Sequence, residues 1–202
     1  MMRSAMRAYI RAIDRMNRAI GRIAMYLIFV LMGVLVWSSL SKTVFSPSLW
    51  TLETAQFVMV AYFVLGGPYS IQMGSNVRMD LFYGDWSPRT KAMVDAVTIF
   101  FLLFYLGVLF TGAVSSTAYA LGYFGMEPFA FFGDLALTLM TQGPGAAQDK
   151  LGFLERSATA WRPPLWPIKV VLCVGVILMI LQCVAELFRD IDRLREDARD
   201  VA

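Results

Sequence analysis

Histidine is missing from the chain. Its absence removes bis-histidine haem anchors, His-ligated zinc and Ser–His catalysis. Cysteine is scarce: only Cys173 and Cys183 are present. Ten residues of helix set them about 15 Å apart, beyond disulfide reach, and they read as small buried hydrophobes. No cysteine cluster suits an iron–sulfur centre. No P-loop or dinucleotide-binding glycine fingerprint appears. There is no 20–50-residue repeat and no nucleic-acid module. Charged residues make up only 16% of the chain and are kept out of the middle of four apolar stretches. An ion or proton path needs ionisable groups at membrane depth. The expectation is therefore no enzyme, no cofactor, no metal site, no nucleic-acid partner and no transport site of the chain's own.

What the chain does have is hydrocarbon: 58% of its 202 residues are hydrophobic, against 45–50% in soluble domains. The apolar stretches cover 23–40, 54–71, 92–114 and 165–187, each near the ~20 residues a membrane helix needs. Glu53, Asp95, Lys169 and Glu186 sit only at their ends. Thirteen of the 18 Lys and Arg lie before span one, between spans two and three, or after span four. The positive-inside rule then puts both termini and the 72–91 loop in the cytoplasm. The first apolar run is longer than the core of a signal peptide, so an uncleaved signal-anchor is expected. The fold class is an all-α integral membrane protein with four transmembrane helices. It adds an N-terminal amphipathic interfacial helix over 1–22 and a helical outer insert, about 115–164, between spans three and four. The membrane domain is 23–187, and 188–202 forms a charged cytoplasmic helical tail.

Local signals refine this plan. Met6, Tyr9, Ile10, Ile13, Met16 and Ile20 repeat at helical spacing, while Arg7, Arg11, Arg15, Arg18 and Arg22 mark another face. This pattern suits a basic helix lying on the bilayer, its arginines on anionic headgroups. Span two is expected to begin with Ser46 as N-cap and Pro47 at the first position. That places Trp50 at headgroup level and Glu53 two turns in. It should bend or end at Gly66-Gly67-Pro68. Ser87 and Pro88 open span three, whose apolar pattern runs to about Phe124. One such helix would be about 50 Å long, so it should tilt, break near Gly112 or project outward. Residues 128–140 suit a short interfacial or re-entrant helix, and 148–158 a short surface helix. Trp166 and Lys169 open span four at the interface, with Lys169 snorkelling to headgroups. Leu187, Ile191, Leu194, Ala198 and Val201 form a short stripe that wants another surface.

Glu53 admits three readings: a carboxylate snorkelling to water, an inter-helix or inter-subunit hydrogen bond, and a proton-coupling acid. In 74–81, alternation sets Asn76, Arg78 and Asp80 on one side of an extended piece. The plain alternative there is an Arg78–Asp80 pair in water, worth little.

These residues resemble the small membrane subunit (DctQ type) of tripartite ATP-independent periplasmic, or TRAP, transporters. The matching stretches are Trp50-x-x-Glu53, Gly67-x-Tyr69, Asn76-Val77-Arg78-Met79-Asp80-Leu81 and Ser87-Pro88-Arg89. Asn76 stands where many relatives carry histidine. The resemblance covers about residues 23–187. It implies a scaffold subunit of the bacterial inner membrane, paired with a large multi-span subunit and a periplasmic substrate-binding protein. That assembly would take up organic acids or similar small solutes with sodium. The outer insert and Arg162-Pro163-Pro164-Leu165-Trp166-Pro167 resemble a longer subgroup linked with mannitol or chloroaromatic-compound systems. Trp50, Glu53, Arg78 and Asp80 are the expected interface residues; Arg7, Arg11, Arg15, Arg18, Trp166 and Lys169 are the expected membrane anchors. Small residues such as Gly107 and Gly112 suit close helix approach. Two other readings stay open: a self-sufficient small proton-coupled transporter using Glu53, and a membrane anchor for a soluble enzyme.

Overall fold

The computed structural model describes residues 2–74 and 88–200, and their secondary structure is helical apart from turns, loops and one isolated bridge. The helices are α1 (Met2–Val44), α2 (Thr51–Gln72), α3 (Pro88–Ala120), α4 (Pro128–Thr141), α5 (Pro144–Asp149) and α6 (Trp166–Asp200). Four of them, over Ala5–Val44, Thr51–Gln72, Met93–Ala120 and Trp166–Asp192, are long and apolar enough to cross a membrane. The chain divides into two compact units. One comprises Met1–Met25, Phe63–Val108 and Gly175–Ala202; the other comprises Tyr26–Tyr62 and Leu109–Val174.

In the first unit helices pack directly on helices at glycine. Gly21 lies against Tyr69, Gly67 against the thioether of Met179, and Gly175 against Val64. The last contact lies where α2 continues as helix through Gly66-Gly67-Pro68 to Gln72, so the helix does not end there. Proline has no N–H and so frees the carbonyl four residues earlier, which is Val64. A Cβ on Gly175 would sit 2.9 Å from that carbonyl oxygen, so only glycine lets α6 approach there. Gly107 and Gly112, expected to serve this purpose, have nothing within 4 Å of a Cβ built on them. The N-terminal stretch does not break at residue 22: α1 is one helix of 43 residues. Its apolar stripe turns toward protein. Tyr9 meets Phe188 edge-on at 5.7 Å and donates its hydroxyl hydrogen to the Leu181 carbonyl at 3.1 Å.

In the second unit a loop is fastened onto helix ends. Span two starts at Thr51, four residues later than expected, because the preceding turn is held by hydroxyls. Ser41 and Ser48 share a hydrogen bond of 3.1 Å, and Ser48 and Thr51 one of 3.0 Å. Thr51 also donates to Ser38 at 3.2 Å. The Trp50 carbonyl is the first acceptor, taking the Thr54 N–H at 3.1 Å. No break occurs at Gly112. Instead α3 ends at Ala120 in a Schellman motif: Tyr123 N–H bonds Ala118 O at 3.0 Å and Gly122 N–H bonds Tyr119 O at 2.9 Å. Gly122 takes a φ of 85°, the left-handed conformation this motif reserves for glycine.

The α3 end also settles the fate of 148–158. The helix expected there does not form; α5 stops at Asp149. The following N–H groups cap orphan carbonyls of α3 instead: Gly152 bonds Leu121 O and Glu155 bonds Ala120 O, both at 3.0 Å. Gly152 must be glycine because its backbone lies directly on Gly122. Beyond it the chain makes a narrow hairpin. Ser157 N–H bonds Pro163 O at 3.0 Å, Leu165 N–H bonds Glu155 O at 3.1 Å, and Arg156 bridges Pro164. The short apolar helix expected over 128–140 is present as α4, with Pro128 in its first turn. Tyr123 stacks on its Phe131 at 4.5 Å.

Candidate functional site

Two clusters of polar side chains centre on buried residues, one on Asn17 and Gln182 and one on Glu53. The first lies where α1 meets α6 in the first unit. Asn17 and Gln182 are 1% and 0% exposed. The Gln182 amide nitrogen donates to Asp14 at 3.2 Å and to Glu186 at 3.0 Å. Its oxygen is thereby left to accept from the Asn17 amide at 2.7 Å. The Arg189 guanidinium closes the set, pairing with both Asp14 and Glu186. Gln182, Glu186 and Arg189 can converge because residues three and four apart share a helix face. One arginine between two carboxylates, each also bonded by one amide, satisfies charges that burial would otherwise penalise.

The second cluster centres on Glu53. It sits in the first turn of α2 rather than two turns in, where the helix dipole favours a carboxylate. It does not snorkel: the residue is 3% exposed. Its Oε1 accepts hydrogen bonds from the Ser157 and Thr159 hydroxyls on the hairpin. Its Oε2 is buried without a partner. Nearby in sequence, Lys169 gives its ammonium to Glu155 at 2.5 Å and to the Ser116 carbonyl at 3.2 Å. That ammonium, expected to reach lipid headgroups, is thus spent within the protein.

The other expected residues are placed as follows. Trp50 and Trp166 are both exposed at the starts of their helices. Arg11, Arg15, Arg18 and Arg22 are exposed, and Arg7 pairs with Asp192 at 3.3 Å. Arg78 and Asp80 lie outside the described residues, as do Asn76 and the Ser87 cap. Trp50 and Glu53 share one helix start. The sequence reading missed Asp14, Asn17, Gln182 and Arg189, and it missed Ser157 and Thr159. The first group carried a signal: Gln182, Glu186 and Arg189 fall on one face of the last helix. The hairpin hydroxyls carried none, because they lie 104 and 106 residues from the carboxylate.

Fold and site together define a multi-pass membrane protein whose buried polar groups fasten its own elements. The model of the family described as tripartite ATP-independent periplasmic transporters, DctQ component, matches residues 31–130. That match takes in just under half of the chain and is to the small membrane component of TRAP transporters, a family of transporter components and not of enzymes. No curated protein and no solved structure matches it. The matched stretch contains Trp50 and Glu53; the hairpin that Glu53 holds lies beyond it.

Proposed function

We propose that the chain is a non-transporting brace. It pairs with a large multi-span subunit and, through it, serves a periplasmic substrate-binding protein. The assembly takes up organic acids or similar small solutes with sodium. It sits in the bacterial inner membrane with both termini cytoplasmic, and 1–22, 23–187 and 188–202 act as basic helix, membrane domain and tail. The family match over 31–130 carries this reading. It is supported by the wide apolar exposure of α1 and α3, including Phe29, Phe100, Phe101 and Phe104. Such surfaces suit lipid and partner helices. Trp50, Glu53, Arg78 and Asp80 are proposed to mark the partner interface. Trp166 and Arg7, Arg11, Arg15 and Arg18 hold the scaffold in the bilayer; Lys169 assists from its pair with Glu155.

Purification in mild detergent tests this directly. A membrane protein with about a dozen spans should co-purify, and charge reversal at Arg78 and Asp80 should weaken that hold. Recovery of a soluble enzyme instead would point to the anchor reading. The unpartnered Oε2 of Glu53 favours one second reading, a lone proton-coupled transporter. In liposomes holding only this chain, that reading requires gradient-driven uptake that Glu53→Gln abolishes. The brace reading requires no uptake from the lone chain at all.

A further inference from the structure

The arginines of α1 are treated unequally by the fold. Arg7 has an acidic neighbour in Asp192. Arg11, Arg15, Arg18 and Arg22 are exposed, and no acidic side chain among the described residues pairs with any of them. At about 100° per residue, spacings of four, three and four confine these four to one narrow strip of the helix. The next turn of that strip is Met25, 52% exposed. Guanidinium therefore gives way to bare hydrocarbon within one turn of a single unbroken helix. The other side of the same segment is covered: Tyr9 by Phe188, Asn17 by Gln182, Gly21 by Tyr69. Met6, Ile10, Ile13, Met16 and Ile20, the side chains that would lie on a bilayer, are half-buried. The helix has 43 residues, about 65 Å, roughly twice the hydrocarbon thickness.

We propose that Arg11, Arg15, Arg18 and Arg22 form an upright ladder that binds anionic phospholipid headgroups, with Arg22 innermost. The forked guanidinium suits phosphate oxygens, and the strip's continuation as exposed hydrocarbon sets its lower end at the lipid boundary. Arg11 stands about 16 Å beyond Arg22, close to two screening lengths in physiological salt. The contribution of each arginine must therefore fall from Arg22 to Arg11. A helix lying flat would weight all four equally.

The test uses the full chain in phosphatidylcholine vesicles containing a minor fraction of phosphatidylglycerol, with spin-labelled forms of both lipids as probes. The wild type should retain phosphatidylglycerol selectively, and molar salt should suppress that preference. Arg22→Gln should lower it about fivefold, the equivalent of ~1 kcal/mol per charge near the surface. Arg18→Gln and Arg15→Gln should lower it progressively less, Arg11→Gln hardly at all, and Arg22→Lys should keep most of it. Equal losses at all four positions would overturn the upright arrangement. A wild type without lipid preference overturns the site. So does a fourfold Arg→Gln variant that keeps its lipid preference but loses a multi-span partner, which would assign the strip to an acidic protein surface. Should the fourfold variant fail to insert, the single substitutions and the salt response of the wild type decide. The lipid readout uses this chain alone, so it stands or falls separately from the scaffold reading.

Discussion

The two units are held by different means. In the first, helix meets helix through glycine, and half-buried charges neutralise one another: Arg189 serves Asp14 and Glu186, with Gln182 adding a bond to each. In the second, a loop is clipped to helix ends, and the buried carboxylate of Glu53 is met only by hydroxyls, with one oxygen bare. In the first arrangement each acid has both a cation and an amide, and the atom left bare is the neutral Asn17 Oδ1. In the second the bare atom belongs to a carboxylate, which is the costlier group to leave unsatisfied. The difference separates ion pairing between helices from a hydroxyl clip on a loop.

The comparison can be broken most violently at the glycines. Gly175→Val would push into Val64 and its carbonyl, and should cost about 3 kcal/mol or more of stability. Size-exclusion profiles on heating the detergent-solubilised chain should show early aggregation. A variant as stable as wild type would mean that α2 and α6 do not touch there. Next comes Gln182→Leu, which strips an amide from Asp14, Glu186 and Asn17 together. About 2 kcal/mol should be lost, since buried partners left unsatisfied cost 1–3 kcal/mol each and Arg189 still serves the two acids. A neutral result in a thermal melt would show the cluster to be wet.

The clip on Glu53 should be weaker and local. Ser157→Ala and Thr159→Ala each remove one bond to a carboxylate, about 1.5 kcal/mol apiece. Protease cutting within the hairpin should speed up while the helices stay intact. If the double variant cuts no faster, Glu53 does not hold the hairpin. The smallest effect belongs to Asp192→Asn, whose partner Arg7 is 57% exposed. A loss within about 0.5 kcal/mol is expected, and a larger one would place that pair in a tighter environment.

Much of the plan was legible before any coordinates. The four long apolar runs became four long helices, since a helix alone satisfies a long apolar segment's own backbone. The short apolar run over 128–140 became the helix α4. Local punctuation failed where a distant residue intervened. Pro68 read as a break, but Gly175 lies against the carbonyl it frees. Ser46 and Pro47 read as a helix start, but the hydroxyls of Ser38, Ser41 and Ser48 hold the chain in a turn until Thr51. Residues 148–158 read as a helix, but their N–H groups cap α3.

By itself the sequence determined the number of helices long and apolar enough to cross a membrane and their rough limits. These follow from composition and period, which any stretch of 20 residues carries within itself. The tertiary structure alone decided which glycines admit a neighbouring helix, how Asp14 and Glu186 share Arg189, and that Glu53 fastens a hairpin instead of reaching water. Those outcomes depend mostly on pairs far apart along the chain, as Gly175 is from Val64 and Asp14 from Arg189. No local pattern encodes them, because their energy exists only once the distant partner has arrived.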